Sequence, residues 1–394
     1  MSATEDKMKD LNQQWYHAVV TGLDVDPETF QLAQGSTSLG GYTSQEIWDF
    51  LDVIPPATVN NYYQPGGLNR FSNVYGGVIN NLNSQTDDAM KKLLKDKYVK
   101  WTQYRQDESK DPKSGEYKED YSDFQLVKFS KWARNNVDKD IQKSGETILK
   151  QVDIVSVAVD KWFSANGKYA YTATANSLQA SLNAGVSKSI QMDSETESTS
   201  TSNTWAKGSM EISQGFFSTK ASADWEKLTN SIDKESIQIK ADFKQFTVLP
   251  ASPLSTNAGL IEELQDYSPW YESEALLLAK NHNDKKVWRD RVPSWSDVFG
   301  SNGSLKRVIT GLAFVDGISI TLKLKVDIED KHKDEFAASI KGGYFPFFSA
   351  EGEGGWVHET NFKDNGEVTI TSTSQLGNPN IIGFIVKPFD EVYS

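Results

Sequence analysis

ISITLKLKVDIE, residues 318–329, is where this chain most plainly commits itself to β structure. Ile318, Ile320, Leu322, Leu324, Val326 and Ile328 alternate strictly with Ser319, Thr321, Lys323, Lys325, Asp327 and Glu329. A period of two places every apolar side chain on one side of a strand and every polar one on the other. After a polar tip, DKHKDE (330–335), apolar residues resume at Phe336, Ala338, Ile340 and Tyr344, so the segment predicts an amphipathic hairpin. FFSAEGEGGW (347–356) follows it.

The same arrangement occurs earlier in the chain. FFSTKASADW (216–225) also holds Phe-Phe-Ser, six residues and Trp, which makes Phe217, Trp225, Phe348 and Trp356 the anchors of two matching segments. Before it, Leu178, Ala180, Leu182, Ala184, Val186, Lys188, Ile190 and Met192 alternate with small polar residues. The tract SETESTSTSN (194–203) then leads into a return arm with Ala206, Gly208, Met210, Ile212 and Phe216. Ile237, Ile239 and Ala241 stand at the same distance from their Phe-Phe-Ser as Val368, Ile370 and Ser372 do from theirs. We read an internal duplication: hairpin, aromatic corner, Trp, and a further alternating strand.

Upstream of residue 166 the period is near four. Leu11, Trp15, Val19 and Leu23 form one stripe, and Asp26-Pro27-Glu28 reads as the start of another helix. Thr43-Ser44-Gln45-Glu46 is a capping box, and helices are expected over 86–106, 124–137 and 148–163. Gln106–Tyr121 is polar and reads as an exposed loop. The fold class is therefore α+β, a helical N-terminal region plus a mostly antiparallel β region with two internally related hairpin units. The divisions are 1–165 (mainly helical), 166–253 (first β unit), 254–310 (an aromatic, turn-rich crossover with a short helix Ser273–Ala279) and 311–394 (second β unit). Ile381–Val386, apolar throughout, is expected to be a strand covered on both faces.

The chain has 394 residues, enough for a sizeable core, with 54 acidic against 41 basic residues and a net charge of -13. That charge repels phosphate backbones, so nucleic acid is not an expected partner, and anionic lipid is disfavoured unless apolar insertion or a receptor supplies the attraction. With no cysteine, disulfides and thiolate chemistry are excluded. The N-terminal stretch MSATEDKMKDLNQQW lacks the basic and apolar regions of a cleaved signal, and no run of about 18 apolar residues occurs. The expectation is a soluble protein made in the cytoplasm, reaching the exterior, if it does, by a route such as lysis.

Chemical motifs are sparse. His17, His282, His332 and His358 show no paired metal-ligand spacing and read as surface or satisfied polar residues. No nucleophile elbow or phosphate loop stands in the required strand–turn–helix context, and Glu351–Gly355 carries carboxylates where a phosphate cradle needs bare amides. No cofactor, metal or catalytic residue is expected, and the chain does not read as an enzyme. Among eleven tryptophans, most read as core; Trp270 and Trp295, with Tyr271, are the candidates for a surface binding site such as a glycan platform.

The hairpins carry the functional expectation. Strands that alternate for more than about 9–11 residues are long enough to cross a bilayer, and hairpins from several copies can close a barrel in which every backbone group is paired. The lipid-facing residues would be Leu178, Leu182, Val186, Ile190, Met210, Ile212, Ile318, Ile320, Leu322 and Leu324. The arrangement is similar in outline to β-barrel pore-forming proteins, including the aerolysin-like and perforin-like groups, although the perforin-type Tyr-Gly-Thr-His-Phe run is absent. The expected function is a non-enzymatic, pore-forming, toxin-like cytolysin, insecticidal action included. It would bind a target membrane, surface receptor or glycan, assemble as a homo-oligomer and insert its hairpins. The alternative is a self-assembling structural or lectin-like binding protein built on the duplicated β unit, since an ordinary sheet with one buried face produces the same alternation.

Overall fold

The computed structural model describes residues 14–34, 38–55, 60–62, 70–117, 121–150, 153–194, 232–285, 287–326, 333–341 and 355–393. The described residues fall into two compact units. Those within 1–67, 173–252 and 307–388 form a β unit, and those within 68–172, 253–306 and 389–394 form a helical unit. The described residues within 1–67, which the sequence groups with the helical region, lie in the β unit. The fold class is α+β.

The β unit is one eight-stranded sheet. Its strands are β1 (Phe30–Gln34), β2 (Asn60–Tyr62), β3 (Val186–Asp193), β4 (Ile232–Pro250), β5 (Arg307–Val326), β6 (Val357–Phe362), β7 (Glu367–Thr373) and β8 (Asn380–Pro388). The order runs β2-β1-β8-β5-β4-β3, with β7 beside β5 and β6 beside β7; only β1 with β2 is parallel. The 20-residue β5 is the spine. Its first half, apolar on both faces and buried on both, lies between β4 and β8, while its alternating second half lies between β4 and β7.

Asp316-Gly317 marks the change of partner. Gly317 has φ +60, and a Cβ there would sit 2.8 Å from Lys244 Cδ, so both backbone angle and space require glycine. The buried Asp316 carboxylate accepts from the backbone N–H of Gly317 (2.7 Å), Gly377 (2.9 Å) and Asn378 (3.3 Å), pinning the β7–β8 loop to the spine. Asp316→Asn turns an amide donor toward these N–H groups and is expected to cost about 2 kcal/mol in urea unfolding.

The apolar face of the sheet is covered by the helix through residues 14–23, whose Trp15, Tyr16, Val19, Val20 and Leu23 join one core with Ile190, Ile239, Ile320, Leu322 and Ile370. A Cβ on Gly22 would meet the Ser189 carbonyl at 2.7 Å, so glycine lets helix and sheet approach closely. Tyr16 fixes the crossing by donating its hydroxyl to the Phe30 carbonyl, 2.9 Å away.

Several sequence expectations need correction. Residues 175–183 form a helix, so Leu178 and Leu182 do not belong to the first hairpin strand, which starts at Val186. Thr174 and Ser177 make a capping box, and Leu178 and Leu182 are spaced i, i+4; an every-second-residue pattern of Leu and Ala satisfies that spacing as well as a strand. Residues 333–341 also form a helix, not the return arm expected there, because an acidic first turn and Ala337-Ala338 favour it over three alternating apolar positions. Asp26-Pro27-Glu28 makes a turn, with Asp26 accepting from Glu28 N–H, and delivers the chain into β1. The helix expected over 86–106 is broken at Lys95, where φ is +50. The capping box at Thr43–Glu46, the helix at Ser273 and the doubly covered strand β8 are as expected.

The helical unit has two aromatic-rich cores. Met90, Leu94, Trp101, Phe129, Trp132 and Leu149 form one. Trp270 is the hub of the other, with Phe71, Tyr75, Trp162, Tyr169, Tyr171 and Tyr271 around it at ring-centroid distances of 5.1–6.2 Å. Between helices, Arg105 bridges Asp87 (2.8 Å) and Asp160 (3.6 Å), all largely buried. Burial alone would lower the guanidinium's pKa, but the charges of Asp160 and Asp87 outweigh it and raise it. Burial pushes the Asp160 carboxyl up to about 6 against the opposing Arg105 charge, with Asp87 and Asp111 adding to the rise.

A folded molecule therefore holds a proton on Asp160 between about pH 4 and pH 6 that an unfolded one has released. The stability this group contributes is greatest below about pH 4 and is lost as pH rises through about 6, a change of up to about 3 kcal/mol. Asp160→Asn abolishes that titration. Urea melts at about pH 4 and about pH 7 are expected to show the variant gaining on the parent across the window, and a constant difference would refute the assignment.

Candidate functional site

The four adjacent strands β3, β4, β5 and the second-half neighbour β7 form an antiparallel layer with two unlike faces. On one, Ile190, Ala241, Ile320 and Ser372 make a row, and Met192, Ile239, Leu322 and Ile370 make the next. These residues are all buried. On the other, the rows read Ser189, Asp242, Ser319, Thr373, then Gln191, Lys240, Thr321, Thr371, then Asp193, Gln238, Lys323, Thr369. No apolar side chain interrupts these three rows. Cross-strand bonds knit them: Ser189 Oγ donates to Asp242 Oδ1 at 2.7 Å, and Gln238 Nε2 to Asp193 Oδ2 at 2.9 Å. A Lys240–Asp242 pair lies alongside at 2.9 Å. Burial is the first influence on the Asp242 carboxyl and acts upward, but the hydrogen bonds from Lys240 and Ser189 and the lysine charge leave it below its ordinary value.

Both pairs open at the same end of the layer. β3 ends at Asp193, opposite Gln238, while β4 begins earlier at Ile232, in register with Val326 at the end of β5; Glu367, the first residue of β7, faces Lys325. A cleft of about 590 Å³ lies toward that end, lined by Gln191, Met192, Asp193, Gln238, Ile239, Lys240, Thr321 and Lys323. No His/Cys/Asp/Glu group able to hold a metal ion occurs among the described residues, and the cleft's single carboxylate is already bonded to Gln238. The lining combines polar side chains of these rows with Met192 and Ile239.

The predicted hairpin residues divide four ways. Ile190, Ile318, Ile320, Leu322 and Leu324 share the buried apolar face; Leu178 and Leu182 lie on the helix noted above; Met210 and Ile212 lie outside the described residues. Val186, at the start of β3, is 58% exposed. Lys188 lies on the inward side but stays half-exposed, its ammonium 6.0 Å from the Phe246 ring. Of the repeat anchors, Trp356 is buried, while Phe217, Trp225 and Phe348 lie outside the described residues. Ile239 and Ile370 both register with Leu322, and Ala241 and Ser372 with Ile320.

The surface platform expected at Trp270 and Tyr271 is not there, because both are buried. Trp270 donates its indole N–H to the Ala170 carbonyl at 2.7 Å, a satisfied core arrangement. Trp295 is half-buried and bonded to the Lys280 carbonyl. His358, which the sequence leaves as a satisfied polar residue, is buried on the apolar face with Nδ1 2.8 Å from Ser372 Oγ and its ring against Trp356. Sequence reading missed β6, although Asp364-Asn365-Gly366, the turn joining it to β7, is a hairpin signal.

No described helix is long and apolar enough to cross a membrane. No family model, no characterised protein and no solved structure matches this chain.

Proposed function

We propose that this protein is a non-enzymatic, membrane-active protein that oligomerises on a target membrane and inserts two hairpins, one extending β3 and β4, the other extending β5 and β7. One observation carries the reading. Two adjacent antiparallel pairs, each with a polar and a mainly apolar face, open at the same end of one layer, and long segments (194–231 and 327–366) join them there. In sequence, the first segment holds the alternating Ala206, Gly208, Met210 and Ile212, and Ile328 continues the spacing of the apolar residues of β5. In an inserted barrel, the polar rows would line water and the apolar ones lipid. The equal registers flanking β5 also support our reading of the two pairs as related copies.

Extension of the second pair has a topological consequence. β6 belongs to the segment that would extend, yet it is folded back on β7, from Val357 opposite Thr373 to Phe362 opposite Val368. It must leave β7 before the segment can become a hairpin. A second reading, self-assembly as a structural or binding protein, draws on the open edge of β3, which among the described residues pairs with β4 alone. Dye release from liposomes, with electron microscopy of the products, separates the two: rings with release are expected, whereas fibres or stacked oligomers without release would favour assembly alone.

A further inference from the structure

Resting on the membrane reading, a second question is how a chain of net charge -13 first reaches a bilayer. That charge disfavours electrostatic attraction to anionic lipid, so a first contact made without a receptor needs an apolar group already in water. Among the described residues, Leu260 and Ile261 are the only large exposed apolar residues that are sequence neighbours; Leu260 is 103% exposed and Ile261 43%.

They stand on a built loop. Residues 255–269 leave and return at one point, where Leu254 donates its N–H to the Ala170 carbonyl and accepts from Trp270 N–H at 3.0 Å and Tyr271 N–H at 3.2 Å. Lys161 ties the base through the Ser255 carbonyl (2.9 Å). Leu264 is fully buried. At the tip, Gly259 N–H is held by Asn257 Oδ1, Ile261 N–H by the Ala258 carbonyl (2.8 Å) and Leu264 N–H by the Ile261 carbonyl (2.9 Å). The turn thus buries one leucine and leaves a leucine–isoleucine pair in water, a compact loop with closed ends and an apolar crown.

We infer that Leu260 and Ile261 form an apolar tip that dips into a neutral, zwitterionic lipid surface. Shape and charge select this occupant. Two convex side chains offer far less area than the ~800 Å² per partner of a stable protein interface, whereas an acyl boundary accepts a small wedge. Glu262, Glu263 and Asp266 border the tip and would be repelled by anionic headgroups.

The chain has no cysteine, so Leu260→Cys carries a single environment-sensitive dye, with Val99→Cys, another exposed apolar site, as the control. On adding phosphatidylcholine vesicles, the dye at 260 should brighten and shift to the blue while that at 99 stays water-like. Leu260→Asp should weaken vesicle co-sedimentation by at least about tenfold, and phosphatidylserine should weaken binding of the unlabelled protein. A dye at 260 that remains water-like, with vesicles bound or unbound, overturns the inference, as does tighter binding with phosphatidylserine. Dye release in the same samples keeps the two readings apart. Insertion at 260 without release upholds the tip and removes the hairpins, whereas release with a water-like dye at 260 removes the tip and upholds the hairpins.

Discussion

Oxidised protein carrying Glu359→Cys and Thr371→Cys is expected to release no dye from liposomes until reductant is added. The two residues face each other across β6 and β7, and opposed Cα atoms in an antiparallel pair lie about 4.5–5.5 Å apart, within the reach of a disulfide. Glu359 is exposed and Thr371 half-buried on the polar side, so neither substitution opens the core. The bond holds β6 on β7, and with β6 held, the segment joining β5 to β7 cannot become a hairpin. Ser189→Cys with Asp242→Cys is the control, since it ties β3 to β4, strands that remain neighbours before and after extension. That protein should release dye whether oxidised or reduced. Full activity from the oxidised β6–β7 form would show that β6 stays in place, and the second hairpin would have to be abandoned.

Trp270→Ala should destabilise the helical unit by about 3–5 kcal/mol, a large share of the about 5–15 kcal/mol that holds a typical domain together. The ring is completely buried among six aromatic neighbours, and its loss leaves both a cavity and an Ala170 carbonyl without its indole donor. Trp270→Phe keeps part of the packing and should cost clearly less. Urea unfolding followed by circular dichroism reads both. If Trp270→Ala melts like the parent while glycan or vesicle binding falls, the residue is a surface ligand after all, and its buried placement is wrong.

The α+β class, the capping box at Thr43, the spine strand and the covered strand β8 follow from local chemistry: side-chain period, cap hydrogen bonding and continuous apolar runs act over a few residues. The same local reading failed wherever two periods coincide. Leu178 and Leu182 are spaced for a strand and for a helix, and the Thr174–Ser177 box that decides between them lies just outside the alternating run. Val357–Phe362 has too few apolar residues to declare itself, and becomes a strand because β7 offers it an edge.

As for the candidate site, the sequence by itself determined that Ile318, Ile320, Leu322 and Leu324 share one face and that Lys323 and Lys325 share the other, because a strand's alternation admits no other result. Only the tertiary structure decided that β4 and β7 flank β5 at matching levels, that Asp316 catches a loop some sixty residues away, and that Trp270 is a core hub while Leu260 stands in water. Register, burial and exposure depend on which distant segments meet, and an aromatic or a leucine looks the same in sequence on either side of a surface.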